Sequence, residues 1–265
     1  YPLIGINQAH FVGLFTSQYS AQGLAPQIYF EWNIGSEEDN DSSGQGQVDV
    51  ARLEYAFTAF IQRHITFRSF ITNDGKMKAL PNVTQYHVDS VYAFPMESNK
   101  DITTMKEKAQ AARETTRENM LSMGIDVFNW PLFKVAVTHT SSTSSSIHIA
   151  VSLFLMDAMS DLILRQELSA LYRAGPEVKI DSVLPAPAKI LFRDYCTAME
   201  TQLPSSEEYT KAKAYWLGRI KNLSTGPELP LALMAPKEAS QRFYNQHRWL
   251  SAEEWTRAKE NCAFH

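Results

Sequence analysis

Two β-rich runs, Leu132 to Thr140 and Ile147 to Leu155, are separated by six hydroxyl-bearing residues, Ser141-Ser142-Thr143-Ser144-Ser145-Ser146. So polar a stretch reads as a loop, and the flanking runs therefore form an antiparallel hairpin. The second run passes through Met156-Asp157-Ala158-Met159 into Ser160 to Arg173, where Leu162, Ile163, Leu164, Leu168 and Leu171 recur at helical spacing until Gly175-Pro176. A strand that feeds a helix in this way presents the side chains of its junction from a rigid support. Asp157, at that junction after a mostly apolar run, is either a buried charge needing a cation or a helix-start carboxylate.

The rest of the chain mixes helices and strands without strict alternation. Residues 2 to 13 read as a short helix, with Pro2 in its first turn and Leu3, Ile6, Phe11 and Leu14 on one buried side. In residues 27 to 34, Ile28, Phe30, Trp32 and Ile34 face one way and Tyr29, Glu31 and Asn33 the other, which predicts a strand. Ser36 to Gln47 has no apolar residue and carries Glu37, Glu38, Asp39 and Asp41, so 36–47 is expected to be a mobile acidic loop. Asp49 caps a helix to His64 with Leu53, Ala56, Phe57, Phe60 and Ile61 as its apolar face. Strand character from Thr66, a turn at Asn73-Asp74-Gly75 and Lys76 to Leu80 form another hairpin, and a strand is expected at Tyr86 to Val88. Residues 103 to 122 are a surface helix ended by Gly124. Three further helices are predicted at Phe192 to Glu200, Ser205 to Asn222 and Ser251 onward, the last two opened by capping boxes, Ser205 with Glu208 and Ser251 with Glu254. This pattern predicts a layered α/β (α+β) fold in which helices pack on a mixed or mostly antiparallel sheet.

Composition excludes several function classes. With 25 Lys and Arg against 29 Asp and Glu, the net charge of −4 and the absence of a basic block disfavour nucleic acid. The longest apolar run, Ile149 to Met156, falls far short of the roughly 20 residues that span a bilayer, so no membrane segment is expected. Cys196 and Cys262 show no CxxC spacing, which points away from a disulfide framework and a metal site and toward a cytoplasmic setting. The sequons Asn82-Val83-Thr84 and Asn222-Leu223-Ser224 have no preceding secretory signal and read as chance. The chain begins at Tyr1 and ends within a helical pattern, and so reads as a piece of something longer. GxGxxG, Walker A, GxSxG and HExxH patterns are absent, and His10, His64, His87, His139, His148, His247 and His265 do not cluster in sequence.

Five blocks, in order, resemble the heterocyclisation branch of the nonribosomal peptide synthetase condensation superfamily, over the N-terminal half of such a domain. Tyr1-Pro2-Leu3-Ile4-Gly5-Ile6-Asn7-Gln8-Ala9-His10 is similar to the family's start, and Arg63-His64-Ile65-Thr66-Phe67-Arg68-Ser69-Phe70 to its RHxxLRxxF block. Trp130-Pro131-Leu132-Phe133 resembles WPLF and Phe192-Arg193-Asp194-Tyr195 resembles FRDY. Tyr215-Trp216-Leu217-Gly218-Arg219-Ile220, then Glu228-Leu229-Pro230-Leu231-Ala232, is similar to YWLxRL and ELPLA. Ordinary condensation domains carry HHxxxDG, but Leu153 stands four residues before Asp157, so that base is missing. Heterocyclisation domains carry DxxxxDxxS; Asp157 and Ser160 match it, and the first Asp is replaced by Ser152, which cannot ionise near neutral pH.

The resemblance implies a chloramphenicol-acetyltransferase-like lobe over residues 1–265, with the C-terminal lobe absent. It further implies a pairing of Asp157 with Arg68, which makes Asp157 architectural ahead of chemical, while Ser160 reads as the N-cap of the following helix ahead of a substrate-facing hydroxyl. The implied reaction joins a carrier-bound acyl group to carrier-bound Cys, Ser or Thr and closes a thiazoline or oxazoline with loss of water. Its partners would be upstream and downstream carrier proteins, the C-terminal lobe and adjacent synthetase domains. No cofactor or metal would be bound by this lobe, because phosphopantetheine is carried by the carrier domains. Two other readings are a degenerate domain that docks carriers, as Ser152 would allow, and a stand-alone acyltransferase, against which Leu153 argues. The isolated lobe, with half a tunnel and an exposed apolar face, is expected to be inactive.

Overall fold

A computed structural model describes residues 1–15, 25–35, 47–93, 102–226 and 249–263. The expected acidic loop lies outside the described residues except for Gln47, as does the ELPLA block. The chain divides into two units, Tyr1–Asn222 and Leu223–His265. The second contains a helix, α7 (Ala252–Ala263), which opens on the predicted box: Ser251 N–H donates to Glu254 Oε2 at 2.8 Å and Glu254 N–H to Ser251 Oγ at 3.1 Å.

The first unit is organised around a four-stranded sheet. In chain order its elements are α1 (Ile6–Leu14), β1 (Gln27–Ile34), α2 (Val50–Arg63), β2 (Ser69–Ile71), β3 (Met77–Ala79), β4 (Asp89–Tyr92), α3 (Ile102–Ser122), β5 (Phe133–His139), β6 (Ser145–Ser152), α4 (Ala158–Ala174), α5 (Phe192–Thr201) and α6 (Glu207–Arg219). The strand order is β1-β6-β5-β4, with β1, β6 and β5 antiparallel and β4 parallel to β5. β2 and β3 form a separate hairpin. The expected mixed layered architecture is therefore present.

Register sorts the side chains of the sheet by polarity. Phe30 lies opposite Ile149 and Trp32 opposite Ile147, while Glu31 lies opposite His148 and Asn33 opposite Ser146. The apolar side continues into α2 and α4: Phe133 packs on Phe67 and Tyr86 (ring centroids 5.4 and 4.9 Å), and these on Phe60 and Phe57. From α4, Arg165 lies 5.1 Å from the rings of both Phe30 and Trp32. The polar side faces α3, through Thr138 to Thr116 at 3.1 Å and Glu31 to Arg117 Nη2 at 2.8 Å.

Several boundaries differ from expectation. Thr66 to Arg68 lie in a 3-10 turn (Ile65–Arg68) and the strand begins only at Ser69; Ser145 and Ser146, expected in the loop, already belong to β6, and Leu153 to Leu155, expected in the strand, lie beyond its end. Pro2 is not in a helical turn: Tyr1 and Pro2 lie along β3, with Met77 N–H donating to the Tyr1 carbonyl at 2.8 Å, and α1 begins after Gly5. This turns Ile6 outward at 68% exposure and buries Asn7. Tyr86 to Val88 is not a strand, because its backbone donors go to α2 side chains, Tyr86 N–H to Thr58 Oγ1 at 3.0 Å and Val88 N–H to Glu54 Oε1 at 2.9 Å. The cap of α6 is Ser206, which accepts from Tyr209 N–H, rather than Ser205. The cap of α4 is Asp157 rather than Ser160.

Candidate active site at the β6–α4 junction

Ser152 ends β6 and is wholly buried. Its N–H donates to the Leu132 carbonyl at 3.0 Å, its hydroxyl donates to the Pro26 carbonyl at 3.5 Å, and it accepts from Phe154 N–H at 3.4 Å. A hydroxyl can do both, whereas a carboxylate could accept from Phe154 but would face the Pro26 oxygen without a proton to share. The chain then turns on two further bonds, Leu153 N–H to the Pro26 carbonyl at 2.9 Å and Leu155 N–H to the Ser152 carbonyl at 3.0 Å. Leu153, at the position of the missing base, is half-buried, and Phe154 is 1% exposed.

Asp157 is exposed and caps α4. Its Oδ1 accepts from Ser160 N–H at 2.8 Å and from Ser160 Oγ at 2.7 Å. These two bonds, the backbone one foremost, hold the Asp157 carboxyl below its usual range. The D-x-x-S spacing is thus a helix start, with the carboxylate at N-cap and the serine in the first turn, where N–H groups lack intrahelical partners.

The expected Asp157–Arg68 pair is not formed. The Arg68 guanidinium donates instead to the Leu80 and Pro81 carbonyls, the latter at 3.2 Å, closing the β2–β3 hairpin. A tie between the RHxxLRxxF block and α4 does exist, made by other residues. Glu167 of α4 receives His64 Nε2 at 2.6 Å and Arg63 Nε at 3.2 Å, and Arg63 also donates to the Pro185 carbonyl at 2.6 Å. Glu167 and Arg63 keep only 11% and 10% of their side-chain surface, so the interior charge is compensated by two partners.

His148, beside the junction in sequence, has its ring buried on the α3 side. Nδ1 lies 2.7 Å from Tyr29 Oη and Nε2 3.0 Å from Thr138 Oγ1. Burial lowers its pKa to about 4, so it is neutral at physiological pH. Neighbouring Glu31 binds both Arg113 and Arg117 and accepts from Tyr29 Oη at 2.9 Å. Burial alone would raise the Glu31 pKa, but the hydrogen bonds from Arg117, Tyr29 and Arg113 outweigh it and the net direction is downward.

Two residues at the junction carry no signal of their own in sequence. Asn7, 8% exposed, donates from Nδ2 to the Phe154 carbonyl at 3.3 Å, and the His10 ring meets the Phe154 ring edge-on at 5.8 Å. An apolar-periodicity reading places Ile6 inside and so misses Asn7. Among the described residues no group of three His, Cys, Asp or Glu side chains could hold a metal ion, and no helix is long and apolar enough to cross a membrane.

The Condensation domain family matches residues 43–263. Bacitracin synthase 1 of Bacillus licheniformis is 24% identical over 266 residues, covering 100% of this chain and 4% of that protein. Pyochelin synthetase PchF of Pseudomonas aeruginosa is 25% identical over 256 residues, covering 96% of this chain and 12% of that protein. Among solved structures, the cyclization-docking bidomain of EpoB from Sorangium cellulosum superposes with a TM-score of 0.71 at 22% identity, covering 100% of this chain and 48% of that one. The chain thus spans a small part of its curated relatives and about half of the solved chain, and the superposition bears out the chloramphenicol-acetyltransferase-like architecture.

Proposed function

Because the chain belongs to the condensation domain family, we propose that it is the N-terminal lobe of a heterocyclisation domain in a nonribosomal peptide synthetase. In this reading the amine of a carrier-bound Cys, Ser or Thr attacks an upstream carrier-bound thioester, and the phosphopantetheine thiol leaves as the amide forms. The side-chain thiol or hydroxyl then adds to the new amide carbon, and loss of one water gives a thiazoline or oxazoline. The observation that carries this reading is the β6–α4 junction: a capped Asp157-x-x-Ser160 with aliphatic Leu153 where ordinary condensation domains hold their histidine. The names of two relatives, pyochelin synthetase and a cyclization bidomain, support the same branch.

Within that reaction the chain contributes placement. Asp157 and Ser160 fix the start of α4 against the end of β6, so that the junction faces the reacting groups in one geometry. Ser152 holds the base of the turn and, being buried and un-ionised, takes no proton. Acyl and aminoacyl groups arrive on the phosphopantetheine arms of upstream and downstream carrier proteins, and no cofactor is bound by this lobe. The C-terminal lobe covers an apolar surface such as that of α6 and the turn after it, where Tyr215, Trp216, Leu217 and Ile220 are 53 to 63% exposed. A second reading, a domain that docks carriers without catalysis, is favoured by one observation, the replacement of the first motif Asp by Ser152.

The test is reconstitution of the intact domain with an acylated upstream carrier and a downstream carrier loaded with Cys, Ser or Thr, followed by intact-protein mass spectrometry. Condensation with a further loss of one water is the expected result. Condensation without water loss would reduce the function to amide formation. Carrier binding with no product from any pair would overturn the catalytic reading in favour of docking.

A further inference from the structure

Phe154 is the pivot of the β6–α4 junction and is held at three points. Its N–H is bonded by Ser152 Oγ at 3.4 Å, its carbonyl by Asn7 Nδ2 at 3.3 Å, and its ring by the edge contact with His10 at 5.8 Å. The other hydrogen bonds of the turn, to Ser152 and Pro26, lie between the end of β6 and the segment entering β1. The Asn7–Phe154 bond connects the turn to α1.

Asn7 is an expensive way to fill that place. Asn7 is the second residue of α1, within its first turn. It is also 8% exposed, and its Oδ1 is buried without a hydrogen-bond partner. An unpartnered buried polar atom costs free energy that an apolar side chain of the same branched shape would not. Packing alone would therefore favour leucine here, and what asparagine adds is the donor to the Phe154 carbonyl.

We infer that Asn7 is a positioning residue: its hydrogen bond to the Phe154 carbonyl makes α1 set the placement of the junction that ends in Asp157 and Ser160. The inference rests on the proposed function only in taking the junction to face the reacting groups. Its structural half concerns the turn itself. With the bond gone, the backbone of residues 154–157 loses its hydrogen bond to α1 and keeps only the His10–Phe154 ring contact, while α4 keeps its own cap and packing.

Asn7→Leu and Asn7→Ala, compared with the exposed control Gln8→Ala, test this by amide hydrogen exchange on the full chain and by kinetics on the intact domain. For Asn7→Leu the expected result is a melting temperature held or raised, amides 154–157 exchanging about tenfold faster, and those of the α4 interior unchanged. In the intact domain kcat should fall about tenfold with KM for both loaded carriers unchanged. Asn7→Ala should give the same local and kinetic pattern even if its melting temperature falls. Unchanged exchange at 154–157 in both variants, or an equal rise throughout the unit, overturns the anchor. Faster local exchange with kcat unaltered overturns its role in the reaction. An intact wild-type domain that turns over no substrate pair defeats the proposed function instead, and the exchange data still decide the anchor.

Discussion

On the side of the sheet turned toward α2 and α4, β6 presents Ile147, Ile149 and Val151; beneath α3 the same strand presents Ser146 and His148. Both sides are covered, and both rows of residues are fully buried or nearly so. On the first side, shape complementarity among Phe57, Phe60, Phe67, Tyr86 and Phe133 joins the layers, with a few neutral hydrogen bonds such as Val135 N–H to Tyr86 Oη at 3.1 Å and no charged group among these residues. On the second, α3 is a largely polar helix, and what fastens it is Glu31 held between Arg113 and Arg117, with Thr116, Thr138, His148 and Tyr29 completing the chain of hydrogen bonds. An apolar face tolerates small displacements, whereas a buried polar network is stable only when nearly every member is satisfied. The polar side therefore fixes the register of β1 on β6, since a one-residue slip would place Glu31 among Ile147 and Ile149.

The largest loss is expected on the apolar side. Phe133→Ala removes a fully buried ring at the centre of the aromatic stack and should cost about 3–5 kcal/mol in chemical denaturation, with little dependence on salt or pH. The polar side should show a pH dependence that the apolar side lacks. His148 has a folded pKa of about 4 against an ordinary 6.5, so the unfolded chain binds more protons between those values. Its contribution is complete above pH 6.5 and is lost as pH falls toward 4, for a total of roughly 3 kcal/mol, while the lowered Glu31 pKa adds a loss in the same direction at still lower pH. Stability measured from pH 7 to 4 should fall in the wild type and fall less steeply in His148→Gln. Equal slopes would show that the buried imidazole is not what titrates. Glu31→Gln leaves two guanidinium groups without their carboxylate, but their side chains are 28 and 34% exposed and regain water. A cost of about 2–3 kcal/mol is expected, below that of a fully buried pair, and it should shrink with added salt.

Much of this contrast is legible in the sequence. Alternation in residues 27 to 34 assigns Phe30 and Trp32 to one side and Glu31 and Asn33 to the other, and the structure keeps that assignment. What alternation cannot reveal is that the polar side is covered, because the covering charges, Arg113 and Arg117, lie more than 80 residues away on a helix that reads as a surface element. The motif blocks show the same limit. Trp130 donates from Nε1 to the Phe67 carbonyl at 2.9 Å, and the Tyr1 ring meets Phe192 edge-on at 6.3 Å, so three blocks that carry the family resemblance besides the opening one are packing partners of one another or of it. Their recurrence speaks for the fold. At the junction itself, the sequence offers Asp157 both as a helix-start carboxylate and as a charge needing a cation; the structure keeps the first, with Ser160 supplying the donors, and the pairing with Arg68 that the resemblance implies is not formed. Asn7 is illegible because α1 starts only at Ile6, and an offset of a few residues at a helix start rotates the buried stripe away from Ile6.

The smallest effect belongs to the end of β6, where neither side of the sheet is involved. Asp157→Ala removes the N-cap of α4 and leaves the N–H of Ser160 to water, which typically costs about 1 kcal/mol. Asp157→Asn keeps an oxygen acceptor and should recover most of that loss, since asparagine caps nearly as well as aspartate. If Asp157 were instead a buried counter-ion, the asparagine variant would be nearly as damaging as alanine, with a loss of about 3–5 kcal/mol. Denaturation midpoints of the two variants therefore separate a cap from an ion pair. Turnover of the same variants in the intact domain then asks a different question. If Asp157→Asn keeps the fold and loses the turnover that the proposed function expects, the charge itself takes part in the reaction, and if it keeps both, the carboxylate serves the helix alone.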